Sequence, residues 1–271
     1  MTLNPLTGSD AIEALDAAAL APPRRPPQFA DGATAELRDA MARFSNAGDH
    51  PARRAALVRT IDTIDLVEVG SIATTVMAER LDGSDVDIVA ASWHVPSYAL
   101  ATVLGFGDQR EQIRADTEQV ARVIGRGEPS TAAADEATLR LLARFGDHPE
   151  PVAAVSLLYQ NLDATSGLVR TSVLAAYSAS TSPSAGRTVR VATAPTTIGD
   201  TALAVGDEVI IDLAGLPFGS GPHRCPGEAL ANAVATGVIR ALQESHYTFR
   251  ASMVDVDPNG VPTRFAMAPA N

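Results

Sequence analysis

Apolar residues recur at helical spacing over most of the chain and alternate only in one short stretch. Pro51 stands at the head of a run, Ala52 to Arg80, in which Leu57, Val58, Ile61, Ile64 and Val69 keep that spacing. This predicts a long helix entered through a turn at Asp49-His50-Pro51. Ala33 to Phe44 is rich in helix formers. Val86 to Leu104 is an apolar run interrupted at Pro96, and Asp108 to Gly125 reads as an amphipathic helix followed by a loop to Ala134. Two further helices are predicted, Asp135 to Phe145 and Pro149 to Ser178, the second mostly apolar and therefore central. From Arg187 the period becomes two, with Val189, Val191 and Thr193 alternating with Arg190 and Ala192. Turns follow at Gly199-Asp200 and Gly206-Asp207, then a strand from Val209 to Leu213. A last helix, Gly227 to Ser245, carries Leu230, Val234, Val238 and Leu242 on one stripe. The pattern predicts a mainly α protein with a small antiparallel β region.

The prolines at 22, 23, 26 and 27 cannot lie inside a helix, so residues 1–33 are expected to be an N-terminal extension in which an extended Pro-rich linker, Ala21 to Pro27, joins a short N-terminal helix to the body of the protein. Structure proper is expected to begin near Thr34, with residues 34–271 as a single domain. A formal charge of -11 with a pI near 4.8 disfavours nucleic acid and anionic lipid as partners. No uninterrupted apolar stretch approaches the roughly 18–20 residues of a membrane span, and residues 1–21 lack the layout of a secretory signal. A cytoplasmic location without membrane contact is expected. The single cysteine, Cys225, excludes an internal disulfide and a multi-cysteine zinc site.

That cysteine sits in Phe218-Gly219-Ser220-Gly221-Pro222-His223-Arg224-Cys225-Pro226-Gly227, between the strand region and the last helix. A helix N-terminus with free backbone N–H groups favours thiolate, which lowers the thiol pKa and provides hydrogen bonds to a metal-bound sulfur. Gly219, Gly221 and Gly227 allow tight turns and close approach to a flat ligand.

The segment resembles the haem-binding loop of the cytochrome P450 family, Phe-Gly-x-Gly-x-His-x-Cys-x-Gly, at every defined position. The resemblance implies a condensed P450-like fold, haem b as cofactor and Cys225 as axial iron ligand. It also implies cofactor contacts from Phe218, Gly219, Gly221, His223 and Gly227. His50-Pro51-Ala52-Arg53-Arg54 resembles the family's His-x-x-x-Arg, whose two side chains reach the haem propionates. Residues at i and i+4 lie one helical turn apart, so a His and an Arg so spaced can grip one anion together. Arg190 resembles the propionate-binding Arg of a family strand. Gln160-Asn161-Leu162-Asp163-Ala164-Thr165 resembles the distal Ala-Gly-x-Asp-Thr-Thr, which makes Asp163 and Thr165 the catalytic candidates.

The chain also departs from the family. Ala164 replaces the alcohol linked to proton delivery, and Gln160 and Asn161 replace two small residues. No Glu-x-x-Arg occurs between Ala176 and Arg187. Leu213 to Pro217 runs directly into Phe218, so the usual meander is missing, and the N-terminal sheet region looks absent. The expected activity is haem-thiolate chemistry on a small organic molecule in specialised metabolism. The routes are monooxygenation with a ferredoxin-type reductant, peroxide-driven oxidation, or non-redox haem chemistry. A non-catalytic auxiliary protein and a haem sensor are the alternatives. Surface exposed by the missing elements would favour a homodimer.

Overall fold

A computed structural model of the chain describes residues 5–26, 29–46, 48–125, 127–178, 186–257 and 261–270. The N-terminal part holds α1 (Gly8–Asp16), β1 (Leu20–Ala21), α2 (Ala33–Ala40), a 3-10 turn (Ala42–Phe44), α3 (His50–Asp62) and α4 (Leu66–Ala78). Next come β2 (Val86–Asp87), α5 (Ile88–Ala101), α6 (Arg110–Ile124), α7 (Ala132–Arg144), α8 (Pro151–Gln160) and α9 (Ser166–Tyr177). Strands β3 (Arg187–Ala192), β4 (Thr196–Ile198), β5 (Thr201–Leu203) and β6 (Glu208–Asp212) precede α10 (Glu228–Glu244), β7 (Tyr247–Val256) and β8 (Pro262–Pro269). The expected class, mainly α with small antiparallel sheets, is the observed one.

The helices enclose a core that includes Leu57, Val69, Met77, Leu100, Ile113, Leu141, Leu158, Val169 and Leu230. At its centre α4 crosses α10 at close range. A Cβ on Gly237 would collide with the Gly70 carbonyl and come within 2.9 Å of the Ala73 side chain, and Thr74 Oγ1 donates to the Gly237 carbonyl at 3.1 Å. Glycine is required there because the two backbones nearly touch.

Several boundaries differ from those the sequence pattern predicts. The run Ala52 to Arg80 forms two helices, because Asp65 caps α4 by accepting from the N–H groups of Val67 (2.7 Å) and Glu68 (3.3 Å). Pro96 lies inside α5, and the break falls instead at Gly105, whose φ of 89° leaves the helical region. The helical stretch 88–124 has the length and apolarity of a membrane span, but half of its apolar window is buried inside the fold. The C-terminal hairpin β7–β8 went unread in the pattern; it pairs with β2 to form one sheet, and Phe265 and Met267 anchor it in the core.

The N-terminal reading needs correction. Structure does not begin near Thr34: β1 pairs with β3 (Leu20 opposite Ala192), β3 pairs with β6 (Arg190 opposite Val209), and Leu6 bridges to Ile211. Leu6, Leu15 and Leu20 are buried with Ile198, Leu203, Val209 and Ile211 in a second, smaller core. Hydrophobic burial, not local propensity, draws this segment onto the sheet. Of the proline-rich stretch, residues 22–26 carry no helix or strand, and residue 27 lies outside the described residues.

Candidate functional site

Three chain segments meet at the loop that carries Cys225. The loop is entered from β6 through successive turns, with Leu216 N–H donating to the Leu213 carbonyl and Gly219 N–H to that of Leu216, both at 2.8 Å. The backbone N–H of Cys225 donates to the Phe218 carbonyl at 2.8 Å, which closes the loop around the thiol. Gly227 then forms the N-cap of α10. The missing meander is thus replaced by tight turns directly after β6.

The free thiol is half-buried, and its acidity differs from expectation. Burial pushes the Cys225 pKa up, outweighing the backbone N–H of Gly227 and the positive charges of Arg43 and Arg54 that pull it down. The position near a helix N-terminus therefore does not by itself make a thiolate. A cation at the sulfur would have to supply the missing stabilisation.

Helix α3 brings the second segment. His50 is 7% exposed at its first turn, and its ring centroid lies 4.0 Å from that of His223 in the cysteine loop. Four residues on, Arg54 Nη1 donates to the Arg224 carbonyl at 2.7 Å and so ties α3 to the loop. The third segment is β3. Arg190 is 9% exposed, and its guanidinium bonds only to Thr188 Oγ1 and the Val189 carbonyl, each at 3.0 Å, among the described residues.

Electrostatics define what this cluster lacks. Burial lowers the Arg190 pKa to about 10, and Arg43 adds to the effect. Burial likewise holds His223 at about 4, with His50, Arg190 and Arg54 pushing the same way. His50 is also lowered, by burial and then by Arg54 and Arg190. No carboxylate contributes to any of these shifts. A buried guanidinium without a counter-ion is costly, so the cluster is complementary to an anion brought from outside the chain.

Of the glycines assigned to a flat ligand, Gly219 (φ 70°) faces open space, as that role requires. Gly221 (φ 67°) has a different neighbour: a Cβ there would meet the Asp16 carboxylate and come within 2.7 Å of the Leu15 carbonyl. Its missing side chain makes room for α1. Asp16 also accepts from Ser220 Oγ at 3.4 Å.

The distal candidates lie in a wide π-helical turn, Asn161–Thr165, between α8 and α9. Such turns widen a helix by one residue and are frequent at functional sites. This one packs against α5, α6 and α10. Thr165 is buried at 4%, Asp163 is half-buried and Ala164 is exposed. The Asp163 carboxylate faces the end of α6, where a Cβ on Gly125 would lie 3.0 Å from it and 3.4 Å from the Tyr159 hydroxyl. Gln160 is turned back along its own helix, donating to Ser156 Oγ at 2.9 Å. Asn161 is 5% exposed and its Nδ2 has no hydrogen-bond partner among the described residues. The region of the absent Glu-x-x-Arg, residues 179–185, lies outside the described residues.

Sequence reasoning missed Arg43 on the 3-10 turn before α3. It is exposed, yet its charge acts on Arg190, Cys225 and Tyr159. No motif marks it; only the folding of the turn brings it near.

No family model and no curated protein matches the chain. Solved structures are similar over nearly the whole chain. P450BioI in complex with an acyl carrier protein ligated to hexadec-9Z-enoic acid is 15% identical, with 96% of this chain and 90% of that chain covered and a TM-score of 0.73. CalO2 is 14% identical over 96% and 89%, with a TM-score of 0.74. The LnmA cytochrome P450 hydroxylase of the leinamycin pathway of Streptomyces atroolivaceus is 14% identical over 96% and 88%, with a TM-score of 0.67. The chain has the cytochrome P450 fold, in condensed form.

Proposed function

We propose that the chain is a haem-thiolate enzyme acting on a small organic molecule. The observation that carries this reading is the convergence of Cys225 with His50, Arg54, Arg190 and His223, a soft sulfur donor beside a buried guanidinium, a half-buried one and two neutral imidazoles, with no carboxylate acting on them among the described residues. Those residues fit haem b: Cys225 would ligate the iron, and the four basic side chains would hold the two propionates. When bound there, haem supplies the electron and oxygen chemistry that protein side chains cannot.

The chain's own residues do the rest. Cys225 as thiolate would donate electron density to a bound iron, and Phe218, Gly219 and Gly227 form the half-buried loop around the sulfur. Asp163 and Thr165 flank Ala164 on the π turn and are the groups proposed to hold or move a proton on the distal side. Ala164 lacks the hydroxyl that would complete a relay through that position, which puts peroxide-driven and non-redox chemistry on a par with reductase-dependent oxygen activation. We further propose a cytoplasmic location, a role in specialised metabolism, a ferredoxin-type reductant for any electron-requiring route, and a homodimer; the haem-binding unit includes the N-terminal segment, which packs on β3, β6 and the cysteine loop.

Haem titration of the purified chain tests this reading. One haem per chain is expected, with uptake weakened by Arg190→Ala and by His223→Ala. The loaded protein is then assayed against a compound panel with peroxide and with reductase. Failure of the wild type to take up haem, or equal uptake by the variants, contradicts the assignment.

A further inference from the structure

A second cluster of cations lies outside the cysteine site. Arg24, Arg25, Arg38 and Arg53 line an open cleft of about 440 Å³ together with Asp39 and Asp49, and none of the residues grouped around Cys225 takes part in it. Four guanidiniums thus face two carboxylates, in a chain whose net charge is -11. Both carboxylates are already engaged: Asp39 lies 3.2 Å from Arg38 and 3.8 Å from Arg25, and Asp49 lies 2.9 Å from Arg53. Arg25 also reaches Asp31 at 2.8 Å, a residue whose side chain is 96% exposed at the outer edge. Arg24 is exposed and has no ion pair among the described residues.

The cleft is also held in shape. Arg38, with its side chain only 6% exposed, donates to the Pro23 carbonyl at 3.1 Å, and its guanidinium lies 4.3 Å over the Phe44 ring. Arg53 donates to the Asp39 carbonyl, which joins α3 to the end of α2. The Pro22-Pro23 wall has little conformational freedom to lose on binding. Donors fixed in this way lose less entropy when an anion arrives, and planar guanidiniums match carboxylate and phosphate oxygens.

We infer that this cleft binds the carboxylate or phosphate group of a small molecule, with Arg24, Arg25 and Arg53 as the donors and Arg38 as the fixed positive floor. Phe44 lines the cleft, whereas its neighbour Arg43, whose charge acts on Cys225 and Arg190, is not among the lining residues. This inference does not depend on haem.

Calorimetric titration of the full chain with inorganic phosphate and, separately, with succinate at low ionic strength tests it. Saturable binding of either probe is expected, weakened about tenfold by Arg24→Gln or Arg25→Gln, the loss expected for one charge-assisted contact. The control is Arg240→Gln, which removes an exposed charge on α10 and should leave the affinity within about twofold. Phosphate alone, succinate alone or both identifies the class of anion. No binding of either probe up to about 10 mM, or equal weakening by Arg240→Gln, overturns the inference.

Discussion

The ring of His50, at the start of α3, lies 4.0 Å from the ring of His223 in the cysteine loop, and the two are tilted by 40°. Both pKa values are depressed by burial and by Arg54 and Arg190, His223 to about 4. In the unfolded chain both titrate near 6.5. Below that value the unfolded state takes up protons that the native state refuses, so native stability falls with pH across the window from about 6.5 toward 4. Above the window neither ring affects stability. The melting temperature of the haem-free protein is expected to drop between pH 7 and pH 5, and His223→Asn should flatten the slope. Haem uptake should flatten it too, because carboxylates beside the rings raise their pKa values. An unchanged slope in the variant would place the titrating group elsewhere.

Gly219 and Gly221 have nearly the same φ, 70° and 67°, but different surroundings. Alanine at either position meets the left-handed conformation, a cost of about 1–2 kcal/mol. At Gly221 it also collides with Leu15 and Asp16 of α1, which adds about 1–3 kcal/mol of overpacking. Urea unfolding is expected to show Gly221→Ala as the more destabilised variant. Equal midpoints would mean that α1 does not rest on the loop.

Asn161 is buried in the π turn, and its Nδ2 is unpartnered among the described residues. An orphaned amide costs about 1–3 kcal/mol. Asn161→Leu, of similar volume, is expected to raise the melting temperature of the haem-free protein. A fall in melting temperature would show that the amide has a partner in solution, such as bound water.

Much of this site was legible because its chemistry is concentrated in one loop. Phe218 to Gly227 fixed the expectation of a thiolate ligand, and the i, i+4 spacing of His50 and Arg54 placed both on one helix face. The period of two around Arg190 located β3. What escaped notice depends on contacts distant in sequence. Leu6 and Leu20 look like parts of an extension until β3 and β6 offer a surface to bury them, and the cap at Asp65 divides a helix whose apolar spacing runs on unbroken. The thiol acidity was misjudged for a related reason, since helix position is visible in sequence and desolvation is not.

The absorption spectrum of the haem-supplied protein, reduced and exposed to carbon monoxide beside Cys225→Ala, tests the central claim most directly. The wild type is expected to give the strongly red-shifted Soret band of thiolate-ligated haem, and the variant to lose it. A wild type that binds haem with an unshifted band, or a variant with the same band, would contradict ligation by Cys225.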